Sequence, residues 1–102
     1  MEFGRQYFTV CIDEVEAKAD AHNQQPSRYV YVISGYNHEY QLNEVERFNF
    51  DTKLWEHVEP VNTARINASA CKCGKKYIYL FGGLDVEKNE LTDSIERLNQ
   101  QL

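Results

Sequence analysis

Two blocks of this 102-residue chain carry the same order of residue types, and that recurrence limits the fold more than any other feature. Arg28 to Gly35 reads RYVYVISG, and 48 residues later Lys76 to Gly83 reads KYIYLFGG. Downstream, Glu44 to Asn49 (EVERFN) recurs as Ser94 to Asn99 (SIERLN) at an offset of 50, so the intervening loop absorbs two residues. A weaker third match sets Arg5 to Cys11 (RQYFTVC) against Arg65 to Cys71 (RINASAC) at an offset of 60. Self-similarity near 50 residues is the mark of stacked supersecondary units, each too small to bury its own apolar face.

The units read as β-structure. Tyr29 to Ile33 and Tyr77 to Phe81 are unbroken apolar runs followed by glycine within two residues, as expected of central strands covered on both faces. Glu44 to Phe50 alternates and suits a less covered strand. Asp51 to Lys53 is a polar turn before a short strand, Leu54 to Glu59, that carries Trp55 and is stopped by Pro60. Ile66 to Cys73 is a further strand, and Cys71 and Cys73 share one of its faces as buried side chains. Residues 13–27, DEVEAKADAHNQQPS, lack an amphipathic stripe and read as a polar insertion in a hairpin loop. Seven Tyr and five Phe strengthen the strand reading, because aromatic side chains fit pleated, half-covered surfaces.

Charge and motifs narrow the chemistry. Sixteen acidic against eleven basic residues give a formal charge of -5, which offers no field for a phosphate backbone, so nucleic acid is not an expected partner. The longest apolar run has strand length, so no membrane partner is expected and a cytoplasmic location is. Three cysteines with scattered histidines do not make a zinc site, and no metal or cofactor is expected. Gly82 and Gly83 lead into the acidic LDVEKNE, which repels phosphate. Glu46 with Arg47 and Glu96 with Arg97 recur at matched positions, which favours a structural ion-pair role over acid–base catalysis.

Taken in order, Tyr31, Gly35, Val45, Glu46, Arg47, Phe48, Asn49, Thr52 and Trp55, then Arg65, Gly74, Tyr77, Tyr79, Gly82, Gly83, Ile95, Glu96 and Arg97, resemble the kelch repeat family. Ser34 stands where that pattern has a first glycine, Phe48 and Leu98 replace a Tyr, and Asn49 and Asn99 replace an Asp. The resemblance implies an all-β fold of antiparallel four-stranded propeller blades, about one and three-quarter of them, which cannot close into a ring alone. Residues 1–62 would form the first blade, with its polar insertion, and 63–102 a second repeat lacking its last strand. Gly35, Gly82 and Gly83 are then turn glycines. Phe48 and Trp55 pack on one sheet face, Trp55 covering the blade against its neighbour, at about 3–5 kcal/mol for its removal.

The same resemblance implies a protein-interaction module and not an enzyme, part of a larger propeller that serves as scaffold or substrate-recognition adaptor. Its partner is a protein, with self-association through the open blade face as a second route. The alternatives are a piece of a galactose-oxidase-like copper enzyme and a truncated relic without activity of its own. Alternation of up and down strands brings the loops at 36–43, 59–65 and 84–92 to one end. There Tyr36, His38, Tyr40, Arg65, Asp85 and Glu87 are the candidate partner-binding residues, with an ordinary solvated loop residue as the alternative at each.

Overall fold

The computed structural model describes residues 4–15, 27–37, 43–73, 77–85, 87–98 and 100, and among them the chain is all-β with no helix. Ten strands follow in order: β1 (Thr9–Val15), β2 (Ser27–Ile33), β3 (Val45–Asn49), β4 (Leu54–Val58), β5 (Arg65–Ile66), β6 (Ser69–Cys73), β7 (Tyr77–Phe81), β8 (Leu84–Asp85), β9 (Glu90–Leu91) and β10 (Ile95–Arg97). They make a four-stranded antiparallel sheet, β1-β2-β3-β4, and a three-stranded one, β10-β7-β6. The two apolar runs are the central strands of their sheets, as their composition predicts.

A third small sheet, β5-β8-β9, was not expected. Residues 84–92, assigned to a loop, instead fold back as a two-residue ladder on Arg65 and Ile66. The strand expected over Ile66 to Cys73 is accordingly broken at Asn67, whose φ of 55° belongs to the left-handed region. The polar insertion also shrinks: Asp13 to Val15 and Ser27 pair in the β1–β2 ladder. Residues 16–26 lie outside the described residues.

The repeat holds in strand pairing as well as in sequence order. Ile33 pairs with Val45 as Phe81 pairs with Ile95, and Cys11 faces Tyr31 as Cys71 faces Tyr79. Tyr7 and Asn67, 60 residues apart, have φ of 58° and 55°. Gly35 and Gly83 lie at φ 103° and 87°, the first passing close over Gln6 and Phe8 and the second over Ile66 and Ala68. A Cβ on Gly83 would stand 2.6 Å from Ile66 O, and one on Gly35 would stand 2.9 Å from Gln6 O. Close backbone approach as well as positive φ therefore demands glycine at both. Gly82 has only the φ constraint, and its counterpart Ser34 adopts φ 59° without being glycine.

One face of the first sheet covers one face of the second. Cys11, Tyr31, Ile33, Val45 and Val58 from the first sheet meet Ile78, Leu80 and Leu98 from the second unit, with Tyr29, Ala68 and Ala70 packed at the margin. Val61, from the connection, completes the cluster. Small residues at 68 and 70 leave room for the larger side chains opposite, the interdigitation expected of stacked sheets. The outward faces stay open: Val10, Ile12, Phe50 and Trp55 on the first, Tyr77, Phe81 and Ile95 on the second. Trp55 does pack edge-on against Phe48 at 5.3 Å, but on the face turned away from the second sheet. It remains 39% exposed, so the expected covering of its neighbour does not occur within this chain and the fully buried cost does not apply.

Candidate interaction site

The loop end of each unit is organised by one arginine. Arg5 donates from Nη1 to Ser34 O and Glu44 O, both at 2.8 Å, and from Nη2 to Glu46 Oε1 at 2.7 Å. Arg65 repeats the set: Nη1 donates to Gly82 O at 3.2 Å and Ser94 O at 3.1 Å, and Nη2 to Glu96 Oε2 at 2.6 Å. Planar guanidinium geometry suits this task, since one fork can hold two carbonyls and a carboxylate at once. Glu96 in turn accepts the Asn62 N–H at 2.7 Å and the Thr63 N–H at 3.3 Å, which ties the connection from the first unit into the second. Ser34 Oγ accepts the Arg65 N–H at 2.8 Å, and Gly35 donates its N–H to Arg65 O at 3.2 Å. The hydroxyl at 34, where the family pattern has glycine, thus becomes a joint between the units.

These bonds correct the expectation for Arg65. Its side chain is 0% exposed and spent on the clamp, so it cannot reach a partner at the surface. Asp85 is buried too, paired in register with Arg65, and its Oδ1 accepts the Lys88 N–H at 3.2 Å to shape the β8–β9 turn. Tyr36 and Glu87 remain accessible, the first half-buried and the second exposed at the tip of that turn. Tyr36 exchanges two backbone hydrogen bonds with Gln6, the first-unit version of the Ile66–Leu84 pairing. Together with Gly4, Arg5, Gln6 and Asn37 it lines an open groove of about 320 Å³. His38 and Tyr40 lie outside the described residues, as does Gly74.

A second polar array sits between the sheets. Arg47 stacks on Tyr29, 4.2 Å from the ring centroid, and donates from Nε to Glu56 Oε1 at 2.6 Å and from Nη1 to the Tyr31 hydroxyl at 3.1 Å. Burial pushes the Glu56 carboxyl up, but the hydrogen bonds from Arg47 and Asn49 and the Arg47 charge outweigh it and hold the group below the ordinary range. Arg97 repeats the stacking on Tyr77 at 4.4 Å. Asn49 Oδ1 accepts the N–H groups of Asp51 and Thr52, capping the turn before β4. The recurrent Glu-Arg dipeptides are therefore used in structure.

The cysteines divide differently from expectation. Cys11 is buried, and Cys71 and Cys73 are both exposed, because their face of β6 is the one turned away from the first sheet. Burial, then the charges of Asp13 and Cys71, push the Cys11 thiol up. Among the described residues, no group of three or more His, Cys, Asp or Glu is placed to hold a metal ion.

Stacked antiparallel sheets, repeated with a glycine at the matched positions 35 and 83 and the same arginine clamp, define a chain of propeller-blade units. The Kelch motif model matches residues 27–62, which span β2 to β4 of the first sheet. The chain is also similar to a RING finger domain and kelch repeat-containing protein of Dictyostelium discoideum, 26% identical over 99 residues. That alignment takes in 97% of this chain and 9% of the relative, so the chain spans about a tenth of that protein's length. These two matches support a kelch repeat in the chain, with the motif itself at residues 27–62.

Proposed function

We propose that this chain is a protein-binding part of a larger kelch propeller, acting in the cytoplasm as a scaffold or a substrate-recognition adaptor through its loop end. Kelch repeats are generally protein-interaction modules and generally not enzymes. The observation that carries the reading is the division of labour at that end. Arg5, Arg65, Glu46 and Glu96 are consumed in holding the loops, and the loops so held present Tyr36 beside a groove and Glu87 at a turn tip. A rigid support that displays an aromatic and a charge is the usual form of a recognition surface, with tyrosine a frequent anchor.

The test is site-specific photo-crosslinking from a benzoylphenylalanine at Tyr36 or Glu87, with Lys53 as the control in the turn at the opposite end. A discrete protein adduct from the first two positions and none from Lys53 is expected. Equal capture from Lys53, or no adduct at Tyr36 and Glu87, overturns the assignment.

A further inference from the structure

Glu44 and Ser94 hold the same place in the two units. Glu44 O accepts Arg5 Nη1 at 2.8 Å and the Ser34 N–H at 3.0 Å, and Ser94 O accepts Arg65 Nη1 at 3.1 Å and the Gly82 N–H at 3.2 Å. One unit therefore carries a carboxylate side chain where the other carries a hydroxyl. Ser94 is exposed, in the irregular stretch 92–94 between β9 and β10. Glu44 keeps partial exposure although the second unit packs on the first, so this position stays reachable in a stacked array. The Ser94 hydroxyl also touches the clamp: its Oγ accepts Arg65 Nη2 at 3.2 Å and the Thr92 hydroxyl at 2.9 Å. Nη2 and Nε form one edge of the guanidinium, and Arg65 Nε is buried with no acceptor among the described residues. Acidic residues flank the serine at Glu90, Asp93 and Glu96, the first two exposed.

From this juxtaposition we infer that Ser94 is a phosphorylation site, served by a protein kinase that selects acidic sequence. The γ-phosphoryl group of a nucleoside triphosphate passes to the Ser94 Oγ. The Oγ–P bond forms, the bond from the γ-phosphorus to the bridging oxygen breaks, the nucleoside diphosphate leaves, and the hydroxyl proton goes to the base of the kinase. The phosphate brings negative charge to a position that accommodates it, since Glu44 stands beside an intact Arg5 clamp. Its oxygens meet the Nη2–Nε edge of Arg65, a fork that matches phosphate geometry. Glu96 opposes the added charge, but the Asn62 and Thr63 N–H groups hold its carboxylate in place. Phosphorylation thus changes the charge of the loop end without undoing the joint between the units.

The test incubates the 102-residue protein with an acidophilic casein kinase and ATP and maps the product by peptide mass spectrometry. A phosphoryl group at Ser94 is expected, with incorporation lost in Ser94→Ala. Proton–nitrogen NMR of the phosphorylated protein then follows the arginine side chains. The Arg65 Nε–H resonance moves downfield, while that of Arg5, buried and without an acceptor in the same way, stays in place. Ser94→Glu, which copies the first unit, keeps the urea unfolding midpoint of the wild type. No phosphoryl group at Ser94, an Arg65 resonance that does not move, or a lowered midpoint in Ser94→Glu each overturns the site. Crosslinking at Tyr36 and Glu87 reads partner contact alone, so either result can fail while the other stands.

Discussion

β2 and β7 have nearly the same sequence and the same place in their sheets, yet their side chains meet different surroundings. In β2, Tyr31 and Ile33 are fully buried; in β7 the position matching Ile33 is Phe81, 40% exposed. On the opposite face Ile78 is fully buried while its match Val30 is half-covered, and Leu80 and its match Val32 are both buried. Each strand buries the face that meets the other unit. Strand identity is thus local, while burial belongs to the neighbour, as in any stacked array where a unit contacts only the next one.

The sharpest way to break the comparison is at the two arginine types. Arg65→Ala leaves Glu96 facing a void behind a buried clamp and is expected to destabilise by about 3–5 kcal/mol, whereas Arg97→Ala, on the open face, costs below about 1 kcal/mol. Urea unfolding midpoints measure both, and equal shifts would erase the distinction between buried clamp and exposed stack.

Ile33→Ala and Phe81→Ala probe equivalent positions on covered and open faces. We expect a loss of about 2–5 kcal/mol at Ile33 and less than about 1 kcal/mol at Phe81, read from the same denaturation curves. A large loss at Phe81 would mean that its face is covered in solution.

The smallest expected effect is on acid stability. Glu56 has a folded-state value below the ordinary 4.5, so its contribution is fully present above pH 4.5 and fades as pH falls through the lower folded value. Because the pair is partly solvated, the change is about 1 kcal/mol or less. Glu56→Gln should flatten the stability profile of the chain below pH 4.5; an unchanged slope would assign the acid sensitivity to other carboxylates.

Most of the ladder was legible from local chemistry. Apolar runs ending at glycine marked β2 and β7, and the polar turn after Asn49 placed Trp55 opposite Phe48. The clamp was visible too, in the weak match of RQYFTVC with RINASAC, but its meaning was not: Arg65 reads as a surface residue because arginine seldom loses its water. Only three converging acceptors, Gly82 O, Ser94 O and Glu96, reverse that expectation, and they come from segments 17 to 31 residues away. Trp55, Cys71 and Cys73 were misjudged for the complementary reason, since side-chain type predicts what prefers burial and not which face finds a cover.

The amino-acid sequence by itself determined that this chain is a repeat of antiparallel strands, because period-two patterning, turn residues and positive-φ glycines act over a few residues. Tertiary structure alone decided which of two similar faces became core and which arginines became internal struts. Those outcomes depend on the surface brought against each strand, and no property of the strand's own residues contains that information.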